Sequence, residues 1–82
     1  MYYRVLILFN RELDIQVRID LMHKLAALKY IQDMSVDWDS FLHKDEADFA
    51  VKMKRKHHIT YVRRILNEYT EKELLYKINE IR

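Results

Sequence analysis

The 82-residue chain contains no Gly, no Pro and no Cys. A chain of this length ordinarily carries roughly six Gly and four Pro. Without Gly, a P-loop, a dinucleotide-binding fingerprint and a glycine nucleophile elbow are excluded, because each needs Gly backbone conformations. Without Cys there is no disulfide, no Cys-ligated zinc, no iron–sulfur cluster and no thiol nucleophile. Long apolar runs are missing too. The longest is Val5–Phe9, far short of the ~20 residues of a membrane-spanning helix. No small-residue cleavage site follows it, so it does not read as a signal peptide. The expectation is a cytoplasmic chain with no membrane contact and no small-molecule cofactor.

What is present is half apolar and 34% charged, with 15 Lys and Arg against 13 Asp and Glu and a net charge of +2. One domain fits this length. A domain this small has a modest core, and such cores often gain burial by dimerising. Ile and Lys are plentiful, while Gly and Pro, whose codons are GC-rich, are missing. That composition points to an AT-rich genome such as that of a phage, plasmid or other mobile element.

Residues 2–9 alternate as a strand that is apolar on both faces, as a central strand requires. Residues 13–19 carry two conflicting signals. Leu13, Ile15, Val17 and Ile19 alternate with polar residues, which suits a strand. Leu13, Val17, Leu21, Leu25 and Leu28 line one helical face, with Asn10 as N-cap, and the helix is favoured. Met34, Val36 and Trp38 mark a half-buried strand, followed by a polar loop over 40–46. Ala47, Phe49, Val51 and Met53 mark another, continuing to Lys56. The two are expected to pair as a hairpin with Asp37 opposite Lys52 and Asp33 opposite Lys56. From Ile59 the period becomes helical through Val62, Ile65, Leu66 and Tyr69. Thr70 and Glu73 have the spacing of a capping box, so a second helix is favoured over 74–81, with a terminal strand as the alternative.

The fold class expected is α+β, an antiparallel sheet with helices on one face. The order β-α-β-β-α resembles the ferredoxin-like arrangement. If residues 13–19 were a strand, β-β-α-β-β followed by helices would look more like a β-grasp variant. The likeness is one of element order. It carries no motif and transfers no function.

The strongest chemical signal is basic. Lys52, Lys54, Arg55, Lys56, Arg63 and Arg64 fall within thirteen residues that contain no acid, with His57 and His58 among them. Lysines on the open face of such a sheet would neutralise phosphates, and Arg4 on the first strand is a candidate neighbour. Paired aromatics with Gly, the usual base-stacking pattern, are missing. The competing explanation is structural: cross-strand ion pairs with Asp33 and Asp37 and protection of a sheet edge. An acidic protein partner is a further alternative.

The acids Asp33, Asp37, Asp39, Asp45, Glu46 and Asp48 lack a nuclease spacing, and Asn10 stands where the ferredoxin-like nuclease pattern has an Asp. His57 and His58 are adjacent, so in a strand they point apart. Ser35, Ser40, Thr60 and Thr70 have no evident base or oxyanion site. No catalytic, cofactor-binding or metal residue is assigned.

An apolar surplus remains in Leu6, Leu8, Trp38, Leu75, Tyr76 and Ile81, candidates for a protein interface or a homodimer. The sequence therefore leads to a non-enzymatic regulatory module that contacts nucleic acid through residues 52–64. The alternative is a protein-binding inhibitor or adaptor, acting on a host protein or on itself.

Overall fold

The first strand decides the architecture. Strand β1 (Tyr2–Phe9) is apolar on both faces and lies inside the sheet with a partner on each side. The computed structural model describes residues 1–70 and 73–81. After β1 come α1 (Ile15–Ala26), β2 (Ile31–Ser35), α2 (Trp38–His43) and β3 (Glu46–Met53). A single 3₁₀ turn over Lys56–His58 leads into α3 (Ile59–Asn67), and β4 (Leu74–Ile81) ends the fold. The four strands form one antiparallel sheet in the order β2-β3-β1-β4. The β-α-β-β-α order expected from the sequence is present, with α2 inserted between the second and third strands.

One face of the sheet is covered. Tyr3, Val5, Ile7 and Phe9 of β1 meet Ala47, Phe49, Val51 and Met53 of β3 on that face. Leu21 and Leu25 of α1, Phe41 of α2, and Ile59, Val62 and Leu66 of α3 close over them. Phe41 is fully buried, with the Phe9, Trp38 and Phe49 rings edge-on at 5.3, 5.2 and 6.2 Å. Such edge-to-face contacts add to the burial of ring area.

Local chemistry places the helices. The α1 helix starts at Ile15 because Asp14 accepts from the Gln16 amide as N-cap. Asn10 instead forms the preceding turn, accepting from the Glu12 amide. The apolar face through Leu13, Val17, Leu21, Leu25 and Leu28 does turn inward. Residues 15–26 being helical, the β-grasp alternative is overturned: burying Leu21 and Leu25 needs helical spacing. The α2 helix starts at Asp37, whose carboxylate accepts from the Asp39 and Ser40 amides and the Ser40 hydroxyl. These bonds hold the Asp37 carboxyl below its ordinary range, the Ser40 hydroxyl contributing most.

Three expectations are corrected. Trp38 is not in a strand: β2 stops at Ser35, and Trp38 opens α2 with its ring packed on Phe41. The register differs, with Asp33 opposite Lys52 and a bulge between Ile31 and Asp33. Because α2 occupies the connection, Asp37 serves as its cap and is not across from Lys52. Residues 74–81 form a strand, not a helix. Central β1 needs a second partner, and β4 supplies it from Tyr2↔Ile81 to Phe9↔Leu74. The capping box over 70–73 includes residues 71 and 72, which lie outside the described residues. The Thr70 hydroxyl donates to the Asn67 carbonyl, and a strand follows.

Candidate functional site

Two surfaces stand out, and they divide the residues singled out by sequence. The first lies where β3 ends and α3 begins. Strand β3 stops at Met53, so Lys54 and Arg55 lie in the connection and Lys56 opens the 3₁₀ turn. The Lys54 amide donates to the Tyr30 carbonyl at 3.4 Å, which brings the end of α1's connection alongside. There Tyr30 and Tyr61 stack with centroids 4.6 Å apart and planes 15° apart. The His58 ring lies 4.3 Å from Tyr30, and His57 packs edge-on to His58 at 4.4 Å. Tyr30, His58 and Tyr61 are each half-buried. Lys29 Nζ sits 5.3 Å from the Tyr30 centroid, and the Arg64 guanidinium 5.6 Å from that of Tyr61.

The electrostatics here are one-sided. Four cations are paired: Arg4 with Asp48, Arg11 with Asp45, Lys24 with Glu68 and, at the margin of this surface, Lys56 with Glu80. Lys44 and Lys77, which lie apart from it, are exposed without an ion pair among the described residues. Lys29, Lys54, Arg55, Arg63 and Arg64 are exposed and form no ion pair with a carboxylate of the described residues. His58 feels this. Burial, followed by the positive charges of His57, Arg55 and Lys54, holds its pKa below the ordinary value. Its Nδ1 is buried without a hydrogen-bond partner among the described residues.

The second surface is the open face of the sheet. Tyr2, Arg4, Leu6 and Leu8 of β1 alternate with the core residues and point away from the helices. Leu8 faces Glu46 on one side and Leu75 on the other, and Leu6 faces Asp48 and Lys77. These residues line a shallow groove. The Arg4 Nε donates to Asp48 Oδ1 at 2.9 Å, and the bond lowers the Asp48 pKa.

Of the residues proposed for nucleic acid, Lys54, Arg55 and Arg64 come together around the ring stack, and Arg63 is exposed beside Arg64 on α3. Lys52 is on the open face, 5.3 Å from the Tyr2 ring. Lys54 and Lys56 do not continue the strand as expected, and Lys56 is 3.5 Å from the Glu80 carboxylate. Arg4 is bound to Asp48 and joins the open face instead. Of the interface candidates, Leu6, Leu8, Leu75 and Ile81 share that face. Tyr76 points to the other side, donating its hydroxyl to Asn67 at 2.6 Å. Trp38 belongs to the helix layer.

Sequence reasoning missed Tyr30 and Lys29. With the observed register, in which Ile31 faces Met53, Tyr30 falls beside Lys54. The acids do not converge. Asp33 accepts from its neighbour's amide, Asp37 caps α2, and Asp45 and Asp48 pair with arginines. Among the described residues, no group of three or more His, Asp or Glu is placed to hold a metal ion, and no helix is long and apolar enough to cross a membrane. Compared with known proteins, the chain matches no family model, no curated protein and no solved structure.

Proposed function

We propose that this chain is a small, non-enzymatic binding module that contacts single-stranded nucleic acid through the basic, aromatic end around Tyr30 and Tyr61. One observation carries the reading: five exposed cations without a carboxylate partner among the described residues, Lys29, Lys54, Arg55, Arg63 and Arg64, gather at the end that carries the ring stack. Unpaired Lys and Arg can release counterions from a phosphate backbone. Half-exposed rings offer π-faces and edges that tolerate any base. Neither feature selects a sequence, so the binding expected is sequence-tolerant and salt-sensitive. It suits a regulatory protein working in the cytoplasm.

A gel-shift titration with a single-stranded oligonucleotide at two salt concentrations tests it. The double variant Lys54→Ala/Arg55→Ala should weaken binding about tenfold at low salt. Arg4→Ala should leave it within about twofold, because Asp48 already neutralises that charge. Absence of binding at low salt, or equal loss in both variants, contradicts the reading.

A second reading rests on the other surface. Leu8 and Leu75 are 55% and 65% exposed and directly opposite each other. An inhibitor or adaptor of a host protein would use such a patch. A pull-down with and without nuclease separates the two: stoichiometric protein that survives nuclease favours this second reading.

A further inference from the structure

We propose that β4 is a self-complementary edge on which a second copy of this chain adds its own β4, antiparallel, with the two-fold axis passing through Ile78. The two edges of the sheet are built differently. At one edge β2 has only five residues and a register irregularity between Ile31 and Asp33, features that blunt an edge. At the other, β4 is eight residues long, paired without interruption to β1. Long regular edges invite strand addition.

The phase of the ladder shows which groups are available. The Asn10 amide donates to the Glu73 carbonyl at 2.9 Å, so Asn10 and Glu73 form a hydrogen-bonded pair. Antiparallel ladders alternate. Hence Leu75, Lys77, Asn79 and Ile81 bond to β1, while Leu74, Tyr76, Ile78 and Glu80 turn their amides and carbonyls outward. The Leu74 amide is already spent, donating to the Tyr69 carbonyl at 3.2 Å. Among the described residues no outward bond is made by Tyr76, Ile78 or Glu80. A two-fold centred on Ile78 uses these three positions: Ile78 pairs with its own copy, and Tyr76 with Glu80.

Side chains select the same register. Centred on Ile78, Leu75 meets Ile81 and Lys77 meets Asn79 on the open face. Leu75 and Ile81 are 65% and 46% exposed in the single chain, and this pairing covers one with the other. Centring one residue earlier would set Lys77 against Lys77, a like-charge contact that destabilises, and would require the Leu74 amide. On the helix side, Tyr76 and Ile78 are only half-buried although they face the core layer. A second β4 would cover them as well.

Because the chain has no Cys, single introduced cysteines report the register. Leu75→Cys and Ile81→Cys chains should form a disulfide-linked dimer rapidly when mixed, because their Cα atoms would lie about 4.5 Å apart. Each variant alone should cross-link at least tenfold more slowly, and so should Leu8→Cys, which lies on the open face away from the edge. Asn79→Lys, an exposed change opposite Lys77, should weaken dimerisation at least fivefold by sedimentation. A monomeric mass across all concentrations overturns the proposal. So does cross-linking of Leu8→Cys as fast as the mixed pair, which would indicate face-to-face packing.

Discussion

Arg18 is the residue whose position least resembles its type. It is 6% exposed, its guanidinium 4.2 Å from the Phe9 centroid and bonded to the carbonyls of Phe41 and Lys44. Those carbonyls end α2, so a cation on α1 closes the C-terminus of a six-residue helix that has few bonds of its own. Arg18→Met keeps the apolar stem but leaves both carbonyls without that donor. A loss of about 1–3 kcal/mol is expected by urea denaturation, and Arg18→Lys should recover only part of it. His58 is the second telling residue. Its pKa lies below the ordinary 6.5, so the native state binds its proton less readily than the unfolded chain does. Its contribution is therefore complete above about 6.5 and lost as pH falls from there through the lowered folded value. Melting temperature should drop from pH 7 towards pH 5, and drop less in His58→Gln. Nucleic-acid affinity should move the other way, since a protonated His58 adds charge to the basic end.

Among elements, α2 and β4 were the hardest to see in the sequence, for different reasons. The six residues of α2 are too few for a period, and Val36 and Trp38 alternate with Asp37 as if in a strand. Its signal was the Asp37 and Ser40 pair, which reads as a cap once the strand is dropped. Asp37→Ala should cost about 1 kcal/mol, measurable by thermal melting. In β4 the outward-facing Leu75 and Ile81 disguise an alternating strand as a helical stripe. The element β1 was legible because both of its faces are apolar. The core faces of β3 and α3 were legible because each is covered on one side only. Most of the charge at the basic end was legible too, since Lys54, Arg55, Arg63 and Arg64 cluster in sequence, whereas Lys29 joins them only through the fold. The ring stack was not, because Tyr30 reaches Tyr61 only through a register displaced by the insertion of α2 and the bulge in β2.

At the scale of the molecule, one end of the sheet gathers uncompensated positive charge and stacked rings, and its open face and β4 edge gather exposed apolar groups. Addition of a second β4 leaves both basic ends uncovered, at opposite ends of an enlarged sheet. The proposed binding of nucleic acid and the proposed pairing of copies would therefore use separate parts of the surface, and losing either one should leave the other intact. The most direct test is fluorescence anisotropy of a labelled homopolymeric single strand at stepped salt concentrations. With four phosphates met by Lys29, Lys54, Arg55 and Arg64, the logarithm of the binding constant should fall against log salt with a slope of about −3. In Lys54→Ala/Arg55→Ala the slope should fall to roughly half of that. A flat salt dependence, or a slope that the double variant leaves unchanged, would contradict the assignment of this end as the nucleic-acid interface.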